Sequence, residues 1–191
     1  MTARTHDVAA FASLLTFAAF YPPDNLNIPT LITCFIANIV GALIPDMDQA
    51  TNRLWDLLPA GNIVGKILRR LMLSHRTISH SFLGIYLLYQ ILLYVTPVLF
   101  NENYINIGAV VWSIMIGFIS HLAADSLTKE GLPLLFPIKW KIGIPPFSFL
   151  RMTTGKFMEN FIVFPGILGY ILWLGFNKRE IFLQIIRQIK Y

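Results

Sequence analysis

The sequence predicts an all-α fold: a polytopic membrane helical bundle with four to five transmembrane helices and two long cytoplasmic loops. Three observations predict it. Of 191 residues, 55% are apolar and only 13% are Asp, Glu, Lys or Arg, with a mean hydropathy of +0.62. An ordinary soluble domain carries roughly 25% charged residues. The apolar residues fall into stretches approaching the ~20 needed to cross a bilayer, and the basic residues fall between them, as in membrane proteins oriented by their cytoplasmic charge. So little charge excludes a disordered chain and argues against a soluble enzyme. The one cysteine, Cys34, excludes a disulfide framework or a thiolate-built cluster. The formal charge of +5 is read as topology, and no nucleic-acid partner is expected.

The elements follow in order within one domain over 1–191. The first apolar stretch, 8–21 (VAAFASLLTFAAFY), is short unless His6 and Asp7 sit at the interface. One preceding Arg and a weak small-residue site make it a retained helix, not a cleaved signal. The second, 28–45, has Asn38 as its strongly polar residue; the third, 81–100, has one amide, Gln90. The fourth, 107–127, holds His121 and Asp125 near its end. A fifth, 161–176, is short and broken by Pro165, and fits either a span or a re-entrant segment.

Charge sets the orientation. Arg4 precedes the first helix. Arg53, Lys66, Arg69, Arg70 and Arg76 lie between the second and third, and Lys129, Lys139, Lys141, Arg151 and Lys156 follow the fourth. The short connections 22–27 and 101–106 have no Lys or Arg. The positive-inside rule therefore puts the N-terminus and both long loops in the cytoplasm of a multi-pass inner (cytoplasmic) membrane protein. Lys178, Arg179, Arg187 and Lys190 in the tail lie outside if the fifth segment spans, and inside if it is re-entrant and an interfacial helix follows.

The polar residues that do not suit a bilayer gather at one end of these helices. His6 opens the first, Asp46 and Asp48 close the second (GALIPDMD), His75 and His80 precede the third, and His121 and Asp125 end the fourth. Ionisable groups at such depths are costly and mark functional sites. His121 and Asp125 are one turn apart on one helical face, and Ser120 and Ser126 flank them as supporting groups. Asp46 and Asp48 would point the same way in extended chain. His75 and His80, five apart, share a site if His75 lies in the loop and His80 opens the helix with Ser79 as its cap. Taken singly, each is a hydrogen-bonded pair, a helix exit or an interfacial histidine. Four such coincidences on one face favour a shared site. Nitrogen and carboxylate ligands without thiolate suit a divalent metal, Zn first and Mn or Fe next. Seven ligands (His6, Asp46, Asp48, His75, His80, His121 and Asp125) exceed the needs of one ion, so two or more are expected.

The segments GALIPDMD, HRTISHS and GFISHLAADSLTKEGLPLLFP, after an early Thr-His, resemble the YdjM-like (LexA-regulated type) family of membrane-bound metal-dependent hydrolases. The match runs in order from His6 to Pro137. That family is remotely similar to zinc-dependent phospholipase C and related single-strand nucleases, all-helical enzymes that hold metal on His and Asp to hydrolyse phosphoesters. The resemblance implies that Asp46 or Asp48, His75 or His80, and His121 with Asp125 are ligands, with His6 a further one. Lys129 and Glu130 depart from the family pattern and give a more charged lip.

The expectation is a membrane hydrolase with its metal site facing the cytoplasm, in which metal-generated hydroxide attacks a phosphoester. Asp48 and Arg76 are the catalytic candidates, Arg76 because its guanidinium offers a planar fork to phosphate; a salt bridge to Asp46, Asp48 or Asp125 is its equal alternative. A site at headgroup depth implies membrane lipids as partners and a lipid or lipid-linked phosphate as substrate. The alternative is a non-catalytic metal-binding membrane protein with a structural, sensing or regulatory role. A transporter ranks below both, because only Asn38 and Gln90 lie deep.

Overall fold

In the computed structural model, the structure describes residues 1–24, 26–47, 54–55, 78–138 and 140–189. These residues form six α-helices: α1 (Ala3–Phe20), α2 (Ile28–Leu43), α3 (Phe82–Leu99), α4 (Ile107–Ser126), α5 (Phe164–Asn177) and α6 (Arg179–Gln188). There is no strand among the described residues, only two isolated bridges. A 3-10 turn, Ile44–Asp46, continues α2, another, Ile78–His80, precedes α3, and a π-helical turn, Glu159–Val163, leads into α5.

Local chemistry sets these boundaries. Asn27 accepts a hydrogen bond from the Thr30 amide and Pro29 sits in the first turn of α2. Ser81 accepts from Gly84 N at α3 and Asn106 from Ala109 N at α4. Each cap satisfies an amide that the first turn leaves without a helical partner. The cap of α3 is therefore Ser81, not the expected Ser79, and His80 lies in the turn before it. The PDMD segment also departs from expectation: Asp46 ends a 3-10 turn, not an extended strand.

Four segments are long and apolar enough to cross a membrane: Ile28–Asp46, Phe82–Leu99, Ile107–Ser126 and Glu159–Asn177. At 1.5 Å per residue each covers about 27–30 Å, close to a hydrocarbon core. Pro165 does not break the last of them, because it sits in the first turn of α5, where a missing N–H costs little. α1 is as long as α3 but carries Arg4, His6 and Asp7 near its start.

Helix α4 is the centre of the bundle and the most buried element. Its closest neighbour is α2. A Cβ on Gly117 would stand 2.1 Å from Asn38 O, and one on Gly41 would stand 2.1 Å from Ile114 O. The two backbones touch because neither position has a side chain, the usual device for close packing in lipid. At the same level the Asn38 amide is buried and donates to Ser113 O at 3.2 Å.

α5 runs parallel to α1 along its length. The Arg4 guanidinium lies 4.2 Å from the centre of the Phe164 ring, Thr16 Oγ1 is 2.8 Å from the Tyr170 hydroxyl, and Lys178 Nζ is 4.8 Å from the Phe20 ring. The chain thus reaches α6 at the end of the bundle opposite His6.

Candidate metal site

The His/Asp groups converge at the end of the bundle where α1 begins and α2 and α4 finish. Helix phase brings His121 and Asp125 one turn apart on α4, with Nε2 and Oδ2 3.8 Å apart. The 3-10 turn after α2 brings Asp46 alongside, with Oδ2 3.7 Å from His121 Nε2. The turn before α3 contributes His80, whose Nε2 is 3.6 Å from Asp46 Oδ1 and 3.9 Å from Asp125 Oδ2. The first turns of α1 contribute His6, with Nε2 3.1 Å from Asp125 Oδ1 and its ring stacked on His121 at 3.8 Å between centroids. His6, His80, His121 and Asp125 are buried, while the Asp46 side chain keeps 27% of its surface and is the exposed edge of the cluster.

Two overlapping triads result: His6, His121 and Asp125, and Asp46, His80 and His121. In each, three ligand atoms lie within 4.8 Å of one another. Ligands bonded at about 2.1 Å in tetrahedral array stand roughly 3.4 Å apart, so separations of 3.1–3.9 Å are near what one shared ion would need. Of these contacts only His6 Nε2 to Asp125 Oδ1, at 3.1 Å, is short enough for a direct hydrogen bond; the rest, at 3.6–3.9 Å, are too long.

Backbone and hydroxyl groups orient the rings. His121 Nδ1 donates to Ala42 O at 2.7 Å, which leaves Nε2 turned toward the carboxylates. That buried Nε2 has no hydrogen-bond partner among the described residues, and neither does His6 Nδ1. A buried nitrogen with no partner is costly, and an ion would satisfy it. The Met1 α-ammonium is paired with Asp125 Oδ1, so positive charge already stands at this carboxylate. Ser79 Oγ lies 3.0 Å from His80 Nδ1 and serves that histidine. Ser120 and Ser126 do not take the supporting role expected of them: they bond back to Gly117 O and Ala123 O of their own helix.

The structure brings together His6, Asp46, His80, His121 and Asp125. Asp48, His75 and Arg76 lie outside the described residues. Sequence reasoning missed Glu159. This carboxylate is 1% exposed. It accepts from Thr2 N at 2.6 Å, from Thr2 Oγ1 at 2.7 Å and from Gly155 N at 2.7 Å. Thr2 O in turn accepts the Thr5 and His6 amides, so Glu159 anchors the start of α1 that carries His6. Its signal was an acid two residues before an apolar stretch. Arg151, also buried, donates to Pro145 O and Pro146 O at 2.6 Å and ties the loop after α4 into place.

Four membrane-length apolar helices joined in one bundle define a multi-pass membrane protein. The chain belongs to the YdjM inner membrane protein family, whose sequence model matches residues 1–184. It is 31% identical to the uncharacterized protein YvsG of Bacillus subtilis (strain 168) over 181 residues, 94% of this chain and 99% of that one. It is 29% identical to the inner membrane protein YdjM of Escherichia coli (strain K12) over 142 residues, 74% of this chain and 66% of that one. The same figures hold for YdjM of Shigella flexneri. No solved structure matches.

Proposed function

We propose that the protein is a membrane-embedded, metal-dependent hydrolase, a phosphoesterase acting on a lipid or lipid-linked phosphate, with its site facing the cytoplasm. The observation that carries this reading is the partnerless, buried Nε2 of His121, turned toward two carboxylates at 3.7 and 3.8 Å. His6, His121 and Asp125 would hold one divalent ion and Asp46, His80 and His121 a second, with zinc the first choice for this donor set and Mn or Fe next. A bound divalent ion lowers the pKa of a water molecule and neutralises phosphate oxygens. The chain's own contribution is positional. Ala42 O fixes the His121 ring, Ser79 engages His80, and Glu159 holds the helix start that presents His6. The exposed edge at Asp46 is where a phosphate would approach. Arg76 is the sequence candidate for engaging it, with Asp48 a further catalytic candidate.

Metal analysis of the purified full chain, coupled to a phosphatase screen over lipid and lipid-linked phosphates, tests the proposal. Stoichiometric metal with turnover is the expected result. Metal without turnover on any phosphoester favours the second reading, a non-catalytic metal-binding membrane protein. The burial of His80, His121 and Asp125 supports that reading, since structural sites are closed and catalytic ones keep an open position. Absence of metal removes both.

A further inference from the structure

At the opposite end of the bundle lies a second feature, unrelated to the His/Asp cluster. A partly open cavity of about 620 Å³ lies between α1, α2, α4 and α6. Leu14 and Ala18 of α1, Leu31 and Cys34 of α2, and Ala109 and Ile116 of α4 form its walls. Its roof is α6, an amphipathic helix that buries Ile185 and lines the cavity with Phe182 and the edge of the exposed Ile186, followed by Ile189 just past its end. Phe182, Ile185 and Ile186 fall at i, i+3 and i+4, one helical face. The lining is overwhelmingly apolar, and its volume lies in the range of ordinary ligand pockets.

The position of the cavity identifies its occupant. It extends from Asn106, at the start of α4, to Ile116, ten residues or about 15 Å along the helix axis. It therefore occupies the half of the membrane-spanning segments remote from His121. With these segments spanning a bilayer, that half of them would lie in lipid hydrocarbon, and the open side of the cavity would meet acyl chains. A neighbouring groove between α1 and α4 shares Phe17, Tyr21, Trp112 and Ile116 with the cavity and continues it along α4 to Ala123. The polar face of the roof supplies charge for a headgroup. Lys178, Arg179 and Arg187 stand at this end of the bundle, with Glu180 paired to Arg179 at 3.0 Å and Asp24 on the cavity rim.

We propose that the cavity beneath α6 binds one acyl chain of a membrane phospholipid, whose anionic headgroup rests against Lys178 and Arg179. Cys34 provides a direct probe, because it is the one cysteine of the chain and lines the cavity wall. The delipidated full chain in detergent is treated with N-ethylmaleimide, alone and with phosphatidylglycerol or phosphatidylcholine of identical chains. Alkylation should slow at least fivefold with lipid, at lower concentration for phosphatidylglycerol. Changing Lys178 and Arg179 together to Ala should erase that preference while leaving protection by chains intact. Ala109→Phe, which fills the cavity, should make the rate slow and insensitive to lipid, and Ala18→Leu serves if that variant does not fold. Native mass spectrometry of gently purified protein should show one retained phospholipid, lost in the filled variants. An alkylation rate indifferent to lipid, or protection by glycerol phosphate as strong as by the intact lipid, overturns the proposal. So does protection that rises with protein concentration instead of lipid, which would assign the cavity to a second copy.

Discussion

Replacing Gly117 with alanine sets two effects against each other. In an isolated helix Ala is favoured over Gly by about 1 kcal/mol. In the bundle the new Cβ would stand 2.1 Å from Asn38 O, where ordinary contacts begin at 3.4 Å. Helix α2 must withdraw by the difference, about 1.3 Å, and overpacking of this kind costs roughly 1–3 kcal/mol. Withdrawal also stretches the 2.7 Å bond from His121 Nδ1 to Ala42 O beyond bonding distance, at about 0.5–1.5 kcal/mol. The net is a loss of about 2 kcal/mol, or roughly 4–8 °C in melting temperature for a chain of this size. Thermal unfolding in detergent, followed by circular dichroism, measures it. Gly169→Ala on α5 is the matched control: its added Cβ meets nothing within 4 Å, so the variant should melt at or slightly above the parent. A Gly117→Ala protein as stable as the Gly169→Ala protein would refute the packing argument. Because Asp46 follows α2, the Gly117 variant should also lose metal affinity although no ligand has changed.

Other outcomes follow from the same geometry. His121→Ala, the residue common to both triads, should abolish stoichiometric metal, while Cys34→Ser should retain it; equal metal content in the two variants would discard the site. Chelation should lower the melting temperature and added zinc restore it, since a ligand at a hundred times its Kd stabilises by about 2.7 kcal/mol; the Asp125→Ala protein should not respond to either treatment. Glu159→Gln places an amide NH₂ against N–H or O–H donors now satisfied by carboxylate oxygens, and should destabilise by about 1–3 kcal/mol. Reporter fusions at the N-terminus and after Asn177 should fall on opposite sides of the membrane, and fusions on the same side would show that α5 does not cross.

The spans were legible because lipid imposes length and apolarity on them, and every cap needed for α2, α3 and α4 is a polar residue visible at the helix start. The five clustered His and Asp residues could be picked out for a related reason: ionisable groups in apolar surroundings stand out. What could not be read depends on distances between helices. The contact of Gly117 with Asn38 O, and the choice of Ala42 O as the acceptor for His121, are properties of packing with no local signature. Ser120 and Ser126 misled because a serine in a helix readily bonds to its own backbone, an option that adjacency to a histidine does not exclude. Ser79 and Ser81 are both good cap residues, and only the position of the preceding 3-10 turn decides between them. Glu159 does not stand out in that way, because the apolar stretch that begins at 161 lies after the acid that anchors α1.

The order in which the segments bearing the His/Asp cluster are made decides when the cluster can form. His6 is synthesised first and Asp125 last, with Asp46 and His80 between them. A nascent chain ending before Ile107 lacks His121 and Asp125, the members of the cluster that meet every other ligand. The cluster is therefore complete only once α4 has joined α1, α2 and the turn before α3. An ion held there would add its binding free energy to that of folding, and would tie the lifetime of the whole fold to the supply of metal.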